Sequence, residues 1–276
     1  MDRLTMNEPQ VPNYPSLLRL DGQAVIVLGA GQGIGEQTSH ALAQAGAKVL
    51  CVDQDSQLAS RIANAVGGAP FTADVTSRED MMHIFETARS SFGRVHGVVD
   101  VIGVSGIRPL ADFDDTAWNK QFDIVLRHAY LAIQIGAEMM AADGGGALAF
   151  VGSMGGERAV PRQVAYSTAK AALHHLVRCA AVEYGPRGVR INAVAPGYVR
   201  TPRLNERLNE SAWAAIGRTI PLGHPAVPAE IAGPLLFLMS ELSSHITAQV
   251  IGVDGGASAL AAFPDVPFGA KEAPTR

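Results

Sequence analysis

The sequence predicts an α/β fold, a single doubly wound parallel sheet of about seven strands flanked by helices. Three observations predict it. Short apolar runs alternate with longer helical stretches along the 276 residues, the pattern of strand–helix–strand units rather than of hairpins. The first run, Ala24 to Leu28, leads into a glycine-rich turn, Gly29-Ala30-Gly31-Gln32-Gly33-Ile34-Gly35. Ala and Gly are abundant in a chain that is 47% hydrophobic, which suits short helices packed closely on a sheet and gives enough apolar mass for one sizeable core.

Taken in order, residues 1–19 carry Pro9, Pro12 and Pro15 and predict an extended arm. Strands are expected near 24–28, 47–52, 69–73, 97–102, 147–152, 189–195 and 249–253, with helices between them. No linker or internal repeat interrupts 20–257, so that span is one domain, and 258–276, with Pro264, Pro267 and Pro274, is a tail.

The glycine turn is suited to a pyrophosphate. Without a Cβ the backbone can approach phosphate oxygens, and the helix that follows aims its free N–H groups at the same anion. The glycines at 29, 33 and 35 are spaced G-x-x-x-G-x-G, since Ile34 stands where G-x-G-x-x-G needs glycine. The second strand ends at Asp53, placed to accept hydrogen bonds from an adenosine ribose and to repel a 2′-phosphate. Neither Gln32 nor Gln54 offers that phosphate a cation. The site therefore reads as NAD-selective and the architecture as Rossmann-type. The competing role for Asp53 is the cap of a helix starting near Ser56.

Tyr166 and Lys170 are four apart in a helix-forming stretch, Val164 to Glu183, and share one face. A nearby ammonium favours the phenolate, and a phenol so tuned can take a proton from an alcohol. Ser153 follows the apolar run Ala147 to Val151, at the carboxyl edge of the sheet where ligands bind, and can fix a substrate oxygen. A lid is expected from Tyr198 to Ile220, with Leu204, Leu208 and Trp213 at near-helical spacing. Val104, Ile107, Met154 and Val160 would face it. That lining favours an apolar or cyclic secondary alcohol, or else only packs the lid onto the body.

These motifs together resemble the short-chain dehydrogenase/reductase family from about Leu20 to Ala257. The matching residues are the Gly29–Gly35 loop, Asp74-Val75, Ser153, Tyr166, Lys170, the run from Ile191 to Gly197, and Asp254-Gly255-Gly256. The resemblance implies Tyr–Lys–Ser chemistry. It places the cofactor against Gly29, Gln32, Gly33, Ile34, Gly35, Asp53, Asp74, Val75, Gly103, Tyr166, Lys170, Pro196, Gly197, Val199 and Thr201, with adenine at Asp74-Val75 and the carboxamide at Val199-Arg200-Thr201. Substrate would meet Met154, Val160, Tyr198, Leu204 and Leu208. The family also implies a homodimer or homotetramer through helices near 116–141 and 161–185, where Leu131, Ile135 and Met139, and Leu173, Leu176 and Val177, form stripes for a partner.

Two departures stand out. The family's Asn-Asn-Ala-Gly after the fourth strand is Asp100-Val101-Ile102-Gly103 here. Its helix asparagine, seven residues after a tryptophan, is Val125, counted from Trp118. In the family that asparagine helps hold a water linking the lysine to solvent, and a main-chain carbonyl, which valine also has, can do the same. His128, one turn on, is a packed histidine or an assistant.

A net charge of −4 argues against a nucleic-acid surface. No apolar run spans a bilayer and no secretory segment opens the chain, so a cytoplasmic protein is expected. Cys51 and Cys179 are expected as thiols. Adjacent His174 and His175 point about 100° apart on a helix and cannot share a metal, and no metal site is predicted. Arg200 to Arg207 present a solvated face, while Arg158 and Arg162 stay close to the site. The expected activity is NAD(H)-dependent interconversion of a small-molecule secondary alcohol and its ketone. The alternatives are a dehydratase or epimerase using NAD transiently, and a nucleotide-binding sensor or scaffold whose catalysis has decayed.

Overall fold

The computed structural model describes residues 11–260. Seven parallel strands, β1 (Ala24–Leu28), β2 (Lys48–Asp53), β3 (Ala69–Thr72), β4 (Gly97–Asp100), β5 (Gly146–Val151), β6 (Val189–Pro196) and β7 (Val250–Val253), form one sheet in the order β3-β2-β1-β4-β5-β6-β7. The strand bounds agree with the sequence reading to within two residues. Both sheet faces are covered, so the central strands are buried along their whole length. Successive side chains alternate between two cores: Ile26, Leu28, Val98, Leu148 and Phe150 in one, and Val25, Val27, Val99, Ala147 and Ala149 in the other.

The helices divide the same way. Leu42 of α1 (Ile34–Gln44), Ile62 of α2 (Ser56–Val66) and Leu235 of α8 (Pro228–Met239) fill the second core. Phe85 of α3 (Arg78–Phe92), Leu131 of a long helix α4 (115–142) and Leu173 of α5 (Val164–Tyr184) fill the first. Two short helices, α6 (Pro202–Asn205) and α7 (Glu210–Gly217), lie between β6 and α8.

Local chemistry sets the helix starts. Asp55 caps α2 by accepting from the N–H groups of Gln57 and Leu58, Ser77 caps α3 through Asp80 N–H, and Asp114 caps α4 through Ala117 N–H. The cap of α2 is thus Asp55, which leaves Asp53 to other work.

Three expectations are corrected. Tyr14–Leu18 is a 3₁₀ turn started by Pro15 rather than extended chain. Residues 1–10 of the expected arm, and 261–276 of the expected tail, lie outside the described residues. The lid is two helices, not one, because Thr201 and Asn209 each start a new one by capping Leu204 N–H and Ala212 N–H. Finally, Leu131, Leu173 and Val177 are fully buried in the chain's own core and face no partner. Helix α4 holds two π-turns, Asp123–Arg127 and Ile133–Ala137. Leu131, Ile135 and Met139 still share one side, all packed on the first core, with Ile135 and Met139 half-buried.

Candidate active site

Every strand that bears on the site ends at the same edge; the connection after β1 runs to β2 on one side, and the one after β3 crosses back to β4 on the other. That is the switch point of the sheet, where the strand ends open a crevice. The glycine turn fills its floor. Gly29 (φ 86°) and Gly33 (φ 61°) adopt backbone that side chains disfavour, and a Cβ on Gly35 would overlap the Gly29 carbonyl. The turn is therefore locked against the start of α1, with Gln32 exposed at its tip.

The glycines also show what surrounds them. A Cβ on Gly29 would lie 2.8 Å from Ile102, one on Gly33 would lie 3.5 Å from Pro202 beside Thr201, and one on Gly31 would lie 2.5 Å from Asp53 Oδ2. So the turn, the end of β2, the loop after β4 and the Val199–Thr201 stretch are one place. Asp53 Oδ2 accepts from Gly31 N–H at 2.9 Å and Oδ1 from Asp55 N–H at 3.1 Å. The lack of Cβ atoms leaves the backbone of the turn open to close approach.

One cation there escaped the sequence reading. Arg61 of α2 donates to the Gly31 carbonyl at 2.8 Å and pairs with Glu36 at 3.1 Å. It stands near Asp53 although neither Gln32 nor Gln54 carries charge, and Glu36 already neutralises it. Further along, Asp74 Oδ1 accepts from Thr76 N–H and hydroxyl, and Val75 is buried beside it. Asn192 ties β6 to the chain entering β7 through Ile246 O and Gln249 N–H. Gly197 packs on Asp254, whose carboxylate accepts from Gly256 and Ser258 N–H. The two late motifs therefore brace Pro196-Gly197 at the crevice edge.

Ser153, Tyr166 and Lys170 converge as expected. Ser153 Oγ accepts from Gly155 N–H at 3.0 Å and lies beside the Tyr166 hydroxyl. Lys170 Nζ lies 5.9 Å from the centre of the Tyr166 ring and donates to Val151 O at 2.7 Å and Ile102 O at 3.3 Å. A Cβ on Gly103 would sit 2.9 Å from that ammonium. The electrostatics differ from the sequence expectation. Burial pushes the Tyr166 phenol above its ordinary value, with the Ser153 hydroxyl opposing. Burial also brings Lys170 down to about 8, with Asp100 opposing. At both groups desolvation is the largest cause.

Two more groups belong here. His174 is buried one turn beyond Lys170, and its Nε2 accepts from Ser153 N–H at 3.3 Å. Gly152 and Gly156 leave it room, since a Cβ on either would strike the ring. Gln121 of α4 clamps the loop after β4 by donating to Val104 O at 2.7 Å and accepting from Gly106 N–H at 2.8 Å. Neither was singled out for these roles in the sequence, because their partners are 21 and 15 to 17 residues away.

At the mouth, Met154, Val160, Leu204 and Leu208 are half-buried and Tyr198 is exposed. Trp213 is fully buried beneath Arg200, which stacks on it at 5.1 Å and pairs with Glu210, so it anchors the lid instead of lining the site. Arg200, Glu210 and Trp213 line a separate open cavity of about 380 Å³ that none of Ser153, Tyr166 and Lys170 borders. Among the described residues no cluster of His, Cys, Asp and Glu is arranged for a metal, and no helix is long and apolar enough to cross a membrane. Cys51 and Cys179 are free thiols, and burial raises the first to about 11.

A sequence model of the family described as Enoyl-(Acyl carrier protein) reductase matches residues 29–258. Galactitol 2-dehydrogenase (L-tagatose-forming) of Cereibacter sphaeroides is 34% identical over 250 residues, 88% of this chain and 98% of that protein. Cis-4-hydroxycyclohexanecarboxylate dehydrogenase of Sinomonas cyclohexanicum is also 34% identical, over 86% of this chain and 97% of its own. A solved structure of a 7α-hydroxysteroid dehydrogenase complexed with NADH and 7-oxo glycochenodeoxycholic acid superposes with a TM-score of 0.83 at 30% identity. It covers 88% of this chain and 96% of that one.

Proposed function

The chain belongs to the short-chain dehydrogenase/reductase family and is an oxidoreductase acting on alcohols, and on that premise we propose that it interconverts an apolar or cyclic secondary alcohol and its ketone with NAD(H). The observation that carries this reading is the Ser153–Tyr166 hydroxyl pair beside Lys170, at the open edge of the glycine crevice.

A nicotinamide cofactor, when bound, supplies the hydride acceptor or donor. The rest falls to the chain. Gly29, Gly33, Ile34 and Gly35 would hold the cofactor's diphosphate, and Asp53 its ribose hydroxyls. Asp74 and Val75 would meet the adenine, and Gly103, Pro196, Gly197, Val199 and Thr201 the nicotinamide end. Ser153 fixes the substrate oxygen. Tyr166 takes the hydroxyl proton in oxidation and returns it in reduction. Lys170 holds the nicotinamide ribose and lowers the cost of the phenolate. Because burial works against the phenolate, that positive charge is needed at the moment of proton transfer.

The carboxylate of Asp53 supports NAD over NADP, since it would face a 2′-phosphate while Arg61 is spent on Glu36. The half-buried Met154, Val160, Leu204 and Leu208 support an apolar ring substrate, as does the relative that acts on a hydroxycyclohexane carboxylate. The protein works in the cytoplasm, where its thiols stay reduced, as a homodimer or homotetramer measurable by light scattering. Absorbance of NADH with a panel of cyclic, aromatic and polyol alcohols tests the activity. The reading requires NAD reduction with ring alcohols. Turnover without net absorbance change would mark transient redox, and no turnover would mark a sensor.

A further inference from the structure

Lys170 is a buried ammonium whose two hydrogen-bond partners are carbonyl oxygens. Carbonyls solvate a charge but do not cancel it, and burying an unpaired ammonium drives it toward the neutral amine. The charge that opposes this comes from Asp100, at the end of β4. Asp100 Oδ1 accepts from Ile102 N–H at 3.0 Å, and the carbonyl of the same Ile102 accepts from Lys170. Carboxylate and ammonium thus grip one residue from its two sides.

The other oxygen, Oδ2, is 2.6 Å from His128 Nδ1 on α4, and both side chains are at most 1% exposed. An ionised carboxylate only accepts, so Nδ1 carries the proton it shares. The ring's Nε2 is buried without a partner. A second proton there would place a cationic N–H against no side-chain or backbone acceptor among the described residues.

We propose that Asp100 and His128 form a positioning pair for the reaction: His128 anchors the Asp100 carboxylate at the Ile102 turn, where it is the buried counter-charge to the Lys170 ammonium. The inference rests on the dehydrogenase reading above. It gives a role to one departure noted in the sequence, the acid at 100. The other titratable groups facing Lys170 are Tyr166 and His174 on its own helix. His174 is neutral near pH 7, since burial and then Lys170 and Arg178 hold it down to about 4.

The chain has four lysines, Lys48, Lys120, Lys170 and Lys271, so ¹³Cε-lysine NMR resolves each titration, with Lys170→Arg assigning the signal. Lys170 should titrate near 8 in the unmodified protein. Asp100→Asn keeps an acceptor for Ile102 N–H but removes the charge, and should lower that midpoint by about one pH unit or more. His128→Leu, which strands the carboxylate without a donor, should lower it likewise, and either variant suffices if the other fails to fold. His128→Gln can still donate to Asp100 and should leave the midpoint within a few tenths. An unmoved midpoint in Asp100→Asn, or an equal shift in His128→Gln and His128→Leu, overturns the proposal. The titration uses no substrate, so it stands or falls separately from the alcohol panel.

Discussion

Replacing His174 tests how the serine at the centre of the site is held. The imidazole is buried and neutral, its Nε2 accepting from Ser153 N–H at 3.3 Å in space left by Gly152 and Gly156. Burial, then Lys170 and Arg178, lower its pKa from 6.5 to about 4. On acidification the unfolded chain therefore takes up this proton before the folded one does. The stability it contributes is complete above pH 6.5 and is lost as the pH falls toward 4. At about 1.4 kcal/mol per pKa unit, the loss between pH 7 and pH 5 integrates to about 2 kcal/mol. Urea unfolding at both values reads it. With a slope of about 2 kcal/mol per molar, the midpoint should fall by about 1 M from this group. His174→Gln offers an amide oxygen to Ser153 N–H and no proton to gain, so it should lack that share of the pH dependence. His174→Leu strands the N–H and should cost about 1–3 kcal/mol already at pH 7. The same pH dependence in unmodified protein and His174→Gln would refute the reasoning.

NAD should bind at least about tenfold tighter than NADP, on the order of 1.4 kcal/mol, and Asp53→Ala should shrink that ratio in a fluorescence titration. Equal affinities in the unmodified protein would contradict the role of Asp53. Val125→Asn should leave turnover within about twofold, because the valine is fully buried in a π-turn and Lys170 is served by Asp100. It should cost about 1–3 kcal/mol of stability, since it buries an amide. A several-fold gain in rate would show that the missing asparagine limits proton exit.

What could be read in advance was local. The glycine turn, the strand ends and the Tyr166–Lys170 pair are set by spacings under twenty residues, where strand and helix periodicities place side chains directly. Ser153 came with them because it follows a strand whose edge is the site. Contacts that cross the sheet edge were not legible. Asp100 and His128 are 28 apart and meet only because a strand end packs under α4. Arg61 reaches Gly31 across 30 residues. Hydrophobic spacing marked Leu131, Leu173 and Val177 as apolar faces but could not say what buries them, which is the chain's own core. Burial was also underestimated at the phenol, since a pairwise view of Tyr166 and Lys170 omits the desolvation that dominates both.

The most direct measurement is the turnover of Tyr166→Phe beside its affinity for NAD. The phenol is the group placed to move the substrate proton. Its loss should reduce kcat for a ring alcohol by about a hundredfold or more, while the dissociation constant of NAD changes little. Turnover within a few-fold of the unmodified enzyme, with NAD still bound, would contradict the assignment of proton transfer to Tyr166.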